Sequence, residues 1–76
     1  MNNIACYELV HNLTDNTFLL ERFTRDGKSF VLPLTAERFN HWTGFFSDHG
    51  FFEDNGDSEY YHVNVTKTGK FTRRMY

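Results

Sequence analysis

Thr35-Ala36-Glu37-Arg38-Phe39-Asn40-His41-Trp42-Thr43-Gly44-Phe45-Phe46-Ser47-Asp48-His49 decides the fold, because helical spacing is convincing only in this stretch. Ala36, Phe39, Trp42, Thr43 and Phe46 recur at three- and four-residue intervals and share one stripe. Thr35 suits an N-cap, and Glu37 stands in the first turn, where the helix dipole favours an anion. Leu34 and Phe39 occupy the positions of a hydrophobic staple. The stripe predicts a buried Trp42 at its centre, with Phe45 about 100° from Phe46 and outside it. Gly44 weakens the helix interior by about 1 kcal/mol and suits a close backbone approach. Gly50 suits a left-handed stop.

On both sides of this helix the apolar residues alternate. Ile4 to Leu13 reads as a strand, with Cys6 and Val10 on one face and Ala5, Tyr7 and Leu9 on the other. Thr14-Asp15-Asn16 is turn chemistry and leads to a second strand, Thr17 to Arg25. Asp26-Gly27 predicts a two-residue type I′ hairpin into Lys28 to Leu34, where Phe30, Leu32 and Leu34 share a face. Beyond the helix come a short strand over Phe51 to Glu53 and the turn Asp54-Asn55-Gly56-Asp57. A strand then runs from Glu59 to Thr66, with Tyr61, Val63 and Val65 on one face, and a last one from Lys70 to Tyr76.

Tight turns between neighbours make the pairings antiparallel. The expected fold is α+β: one domain over residues 1–76, with a five- to six-stranded antiparallel sheet in two meanders. The order is β-β-β-α-β-β-β, and one helix packs on one face. The expected core is Leu9, Leu20, Phe30, Leu32, Phe39, Trp42, Phe46, Tyr61, Val63, Val65 and Phe71.

Nine Phe, four Tyr and one Trp are more rings than a 76-residue core needs. Phe45, one of Phe51 and Phe52, Tyr60 and Tyr76 have no evident place inside, and exposed aromatic clusters mark interaction surfaces. Cys6 is the single cysteine, so no internal disulfide forms, and in its apolar setting it reads as a buried structural residue.

Most chemistries lack their residues. His11, His41, His49 and His62 show no zinc-type spacing with each other or with Cys6. In the acidic loop, setting Gly56 at the glycine position of a calcium loop puts Phe51 where the first carboxylate belongs. Ser29, Ser47 and Ser58 lie in no nucleophile motif, and no glycine-rich phosphate loop exists. The domain therefore reads as non-enzymatic, with no cofactor and no metal. The Met-Asn-Asn-Ile start has no basic n-region or apolar h-region, and no run is long enough to span a membrane, so a cytoplasmic protein is expected.

Charge is uneven under a net value of −2. Asp48, Glu53, Asp54, Asp57 and Glu59 fall between Phe39 and Thr66 without a Lys or Arg, and Lys67, Lys70, Arg73 and Arg74 follow without an acid. The expected function is protein binding through the acidic hairpin, with Phe51 or Phe52 as anchor and Glu53, Asp54, Asp57 and Glu59 steering the encounter. Small proteins of this size and class are typical of phage and other mobile elements, where they bind and block host proteins in the host cytoplasm. One alternative is nucleic-acid binding by Lys67, Lys70, Phe71, Arg73, Arg74 and Tyr76, which combine phosphate neutralisation with stacking. Another is a homodimer joined at an exposed strand edge.

Overall fold

The computed structural model describes residues 3–73. Its elements are β1 (Ile4–Asn12), β2 (Thr17–Thr24), β3 (Ser29–Leu34), α1 (Ala36–His49), β4 (Phe51–Asp54), β5 (Ser58–Val65) and β6 (Phe71–Thr72). The sheet runs β3-β2-β1-β5-β4, all antiparallel, and β6 pairs β5 beside β4. The two expected meanders are therefore fused through the β1–β5 pairing, in which Cys6 to Asn12 face Asn64 to Ser58. A register shift between Ile4 and Cys6 in the β1–β2 pairing leaves Ala5 in a bulge, outside the alternation that puts Tyr7 and Leu9 under the helix.

Helix α1 starts as its sequence dictates: the Thr35 side chain accepts from the Arg38 amide at 3.2 Å. Its end is different. Gly50 lies at φ −129° and ψ −156°, extended rather than left-handed. A Cβ here would stand 2.1 Å from the His62 carbonyl oxygen, so Gly50 is required for the close approach of the chain to β5. Gly44, by contrast, has open space around it and makes no close approach.

Two turns share one construction. In Thr24-Arg25-Asp26-Gly27-Lys28 the Gly27 amide donates to Thr24 O and the Thr24 amide to Lys28 O. In Thr66-Lys67-Thr68-Gly69-Lys70 the Gly69 amide donates to Thr66 O and the Thr66 amide to Lys70 O. In both, the threonine hydroxyl also accepts from the lysine amide at 3.0 Å. Gly27 at φ 90° and Gly69 at φ 88° hold the left-handed position. This is a three-residue turn with a glycine bulge, so the two-residue type I′ turn expected at Asp26-Gly27 is not formed.

The core lies between α1 and the sheet. Leu9, Phe39, Phe46 and Val63 form its buried centre, and Tyr7, Phe18, Leu20, Leu34, Phe45 and Tyr61 pack around them; Val65 is buried as well. Four expected core members are exposed: Phe30 (47%), Leu32 (57%), Trp42 (36%) and Phe71 (42%). One 14-residue helix is narrower than the sheet it covers, so the β3 flank extends beyond its shadow. The buried helical face is centred on Phe39 and Phe46. Phe45 turns inward beside them, and Trp42 stands on the rim, lining with Tyr7, Leu20 and Phe71 a cavity of about 190 Å³.

Candidate interaction site

Antiparallel pairing sorts the turns into two ends. β1 and β3 finish at one end, where β5 starts, so the 13–16 turn, the helix N-terminus and the 55–57 turn lie together. The Leu13 amide donates to Asp57 O at 2.9 Å and ties the two turns. Asp15, Glu37, Asp54, Asp57 and Glu59 stand at this end, with Arg38 as its base. The two threonine-glycine turns lie at the opposite end and bring Arg25, Lys28, Lys67 and Lys70 together, with Asp26 as their acid. The Arg25 guanidinium donates to Val65 O and joins those turns. Charge asymmetry along the chain thus becomes asymmetry across the molecule.

Strand alternation divides the expected partner-binding residues between two faces. Phe52 pairs Tyr61 on the helix side, ring centroids 5.0 Å apart, and Asp54 and Glu59 follow on that face. Glu59 lies 3.8 Å from His11, whose ring stacks on Phe18. Phe51 and Glu53 fall on the opposite face, where Phe51 stacks on His62 at 5.1 Å and the Tyr60 hydroxyl donates to Glu53 at 2.6 Å. That hydrogen bond is the main reason the Tyr60 phenol is held above its usual pKa. Asp54 accepts from the Gly56 amide at 2.8 Å, which closes the tip. Phe52 is the large apolar side chain left exposed on this hairpin, at 48%.

The helix-free face also carries a polar row. His62 Nδ1 is 3.0 Å from Glu8 Oε2, and His62 Nε2 is 3.0 Å from Asn64 Oδ1. Asn64 Nδ2 is buried with no hydrogen-bond partner among the described residues. Cys6, opposite Asn64, is partly buried, and burial first, then Glu8 and Glu21, pushes its thiol pKa up. Among the described residues no three His, Cys, Asp or Glu side chains converge as metal ligands do, and no helix is long and apolar enough to cross a membrane.

The residues of the nucleic-acid alternative are dispersed. Arg73 donates from Nε to Gly50 O at 2.7 Å and from Nη2 to Ser47 O and Asp48 O at 3.1 Å each, closing the C-terminal end of α1. Phe71 packs edge-on against Phe45 at 5.0 Å. Lys67 and Lys70 stand in the turn, and Arg74 and Tyr76 lie outside the described residues. Sequence reasoning missed Arg25 and Lys28 as neighbours of Lys67 and Lys70. The repeated pattern Thr-x-x-Gly-Lys was the available signal. Compared with protein-family models, curated proteins and solved structures, the chain matches none of them.

Proposed function

We propose that this domain is a non-enzymatic protein-binding module that presents its acidic end to a basic surface on its partner. The observation that carries the reading is the gathering of Asp54, Asp57 and Glu59 at one end of the sheet beside the exposed ring of Phe52. Phe52 offers apolar area that binding removes from water, and the carboxylates steer the encounter. Among the described residues β4 pairs β5 alone, which leaves its outer rim to meet a partner. Glu53 is held by Tyr60 on the other face and contributes to steering rather than to the Phe52 contact.

The opposite end supports a second reading. Arg25, Lys28, Lys67 and Lys70 converge there through two like turns and offer a phosphate-neutralising patch different from the one expected along the last strand. Capture from an extract of the source cell separates the readings. The Asp54→Lys/Asp57→Lys variant loses the partner while Lys67→Glu/Lys70→Glu retains it, and association slows as salt rises. Loss of capture by the lysine variant alone, together with a shift of a labelled oligonucleotide by the wild type at physiological salt, overturns the proposal.

A further inference from the structure

β3 pairs β2 on one side and is bare on the other among the described residues. The Thr24 amide donates to Lys28 O, and the β2–β3 register then runs without a shift from Phe23↔Ser29 to Phe18↔Leu34. Bonded and non-bonded positions alternate along an antiparallel pair. Lys28, Phe30, Leu32 and Leu34 therefore direct their backbone groups to β2, and Ser29, Val31 and Pro33 direct theirs outward. Pro33, without an N–H, sits where β2 requires no donor.

Charge, a common defence of an exposed edge, is absent here, and Pro33 is the one blocking residue on the strand. No charged residue occurs from Ser29 to Leu34, and Phe30, Val31 and Leu32 are 47%, 55% and 57% exposed. We propose that the domain forms a two-fold dimer in which β3 pairs antiparallel with β3 of a second copy, centred on Val31.

The outward backbone pattern is self-complementary about that centre. Val31 exchanges both its hydrogen bonds with Val31 of the second copy. In each direction the Ser29 N–H donates to the Pro33 carbonyl, while the return bond to the Ser29 carbonyl is missing because Pro33 has no N–H. The junction therefore rests on the Val31 pair and these two single bonds. Phe30 then stands opposite Leu32 of the second copy on the helix side. These rings and branches extend the apolar groove that Tyr7, Leu20 and Trp42 line in each copy. Along the chain the charges flanking β3 are Lys28 and Glu37, of opposite sign, and the antiparallel arrangement brings the end bearing one toward the end bearing the other. Arg22 of β2 lies 4.9 Å over the Phe30 ring, and Glu21 pairs Val31. The six strands of each copy join in one sheet, and the two β4 hairpins lie at its far margins. The acidic ends stay free, so this inference stands apart from the proposed function.

Sedimentation equilibrium on the intact chain tests it. The expected particle has twice the 9.1 kDa chain mass. Val31→Pro removes the two central donors without touching the β2 ladder, so it leaves the circular dichroism unchanged and weakens the dimer by about thirtyfold. Val31→Lys, which sets two ammonium groups face to face, gives the same loss should proline disturb the strand. Val31→Cys in a Cys6→Ser background forms an intermolecular disulfide under mild oxidation. A wild type that keeps single-chain mass as its concentration is raised toward the millimolar range overturns the proposal, as does a dimer that survives both Val31→Pro and Val31→Lys.

Discussion

The two margins of this sheet are built on different principles. At one margin β4 and β6 lie end to end along β5, acids flank the hairpin, and Arg73 fastens the segment to the helix through three backbone carbonyls. At the other, β3 is held by its ladder to β2 and by Leu34, and it shows uncharged, mostly apolar side chains to the outside. A covered or charged edge limits what pairs with it, whereas a bare one selects by hydrogen-bond register and shape. The difference teaches that the helix does not cover the sheet evenly: it packs most on β5 and meets β3 at its Leu34 end, leaving Phe30 to Leu32 uncovered.

The sharpest way to break this contrast is Gly50→Ala. A methyl group 2.1 Å from the His62 carbonyl forces β4 away from β5, at a cost of about 3 kcal/mol by urea denaturation. Gly44→Ala meets open space in the helix interior and stabilises by about 1 kcal/mol in the same assay. Equal responses at the two glycines would refute the close-approach argument.

Arg73→Ala comes next. It leaves the Gly50, Ser47 and Asp48 carbonyls without their guanidinium and lowers stability by about 1–2 kcal/mol. Amide exchange is expected to quicken in the last helical turn and in β4, with β3 unaffected. On the opposite margin, Leu32→Ala costs less than about 1 kcal/mol in dilute solution, because the side chain is already 57% exposed. A cost of a buried leucine's size, about 3 kcal/mol, would place β3 under cover.

The smallest effect is a titration. The bond to Glu53 favours the neutral Tyr60 phenol, so the folded pKa lies above the unfolded one. The associated stability is fully present below the ordinary tyrosine value of about 10 and is lost as pH rises through the folded value. Ultraviolet titration should show one tyrosine ionising late in the wild type and returning to the ordinary range in Glu53→Gln. No change between the two proteins would remove Tyr60 from this margin's fastenings.

The element order was legible because each boundary carries its own local chemistry: Thr35 at the cap, Asn55-Gly56 at the β4–β5 turn, Gly27 and Gly69 after their threonines. What a strand meets across the sheet is not local. Phe30 and Leu32 alternate as core residues do, yet the same pattern describes a face that no helix reaches. Trp42 belongs to the apolar stripe by spacing, while sheet position makes Phe39 and Phe46 the buried pair. Gly50 reads as a helix stop in sequence, and only the approach of β5 reveals its other task. For the site, the charges were legible but their sorting was not. Alternation along β4 splits Phe51 and Glu53 from Phe52 and Asp54, and Arg73 is held by the helix end.

Residue-resolved amide exchange at two protein concentrations tests the contrast between the margins most directly. Phe30 and Leu32, whose amides face β2, are predicted to be protected at both concentrations. Ser29 and Val31 should exchange freely in dilute solution and become protected as concentration rises, while the β4 amides keep the same rates throughout. Val31 protection that does not change with concentration, or a concentration dependence at β4 in place of β3, would contradict the account.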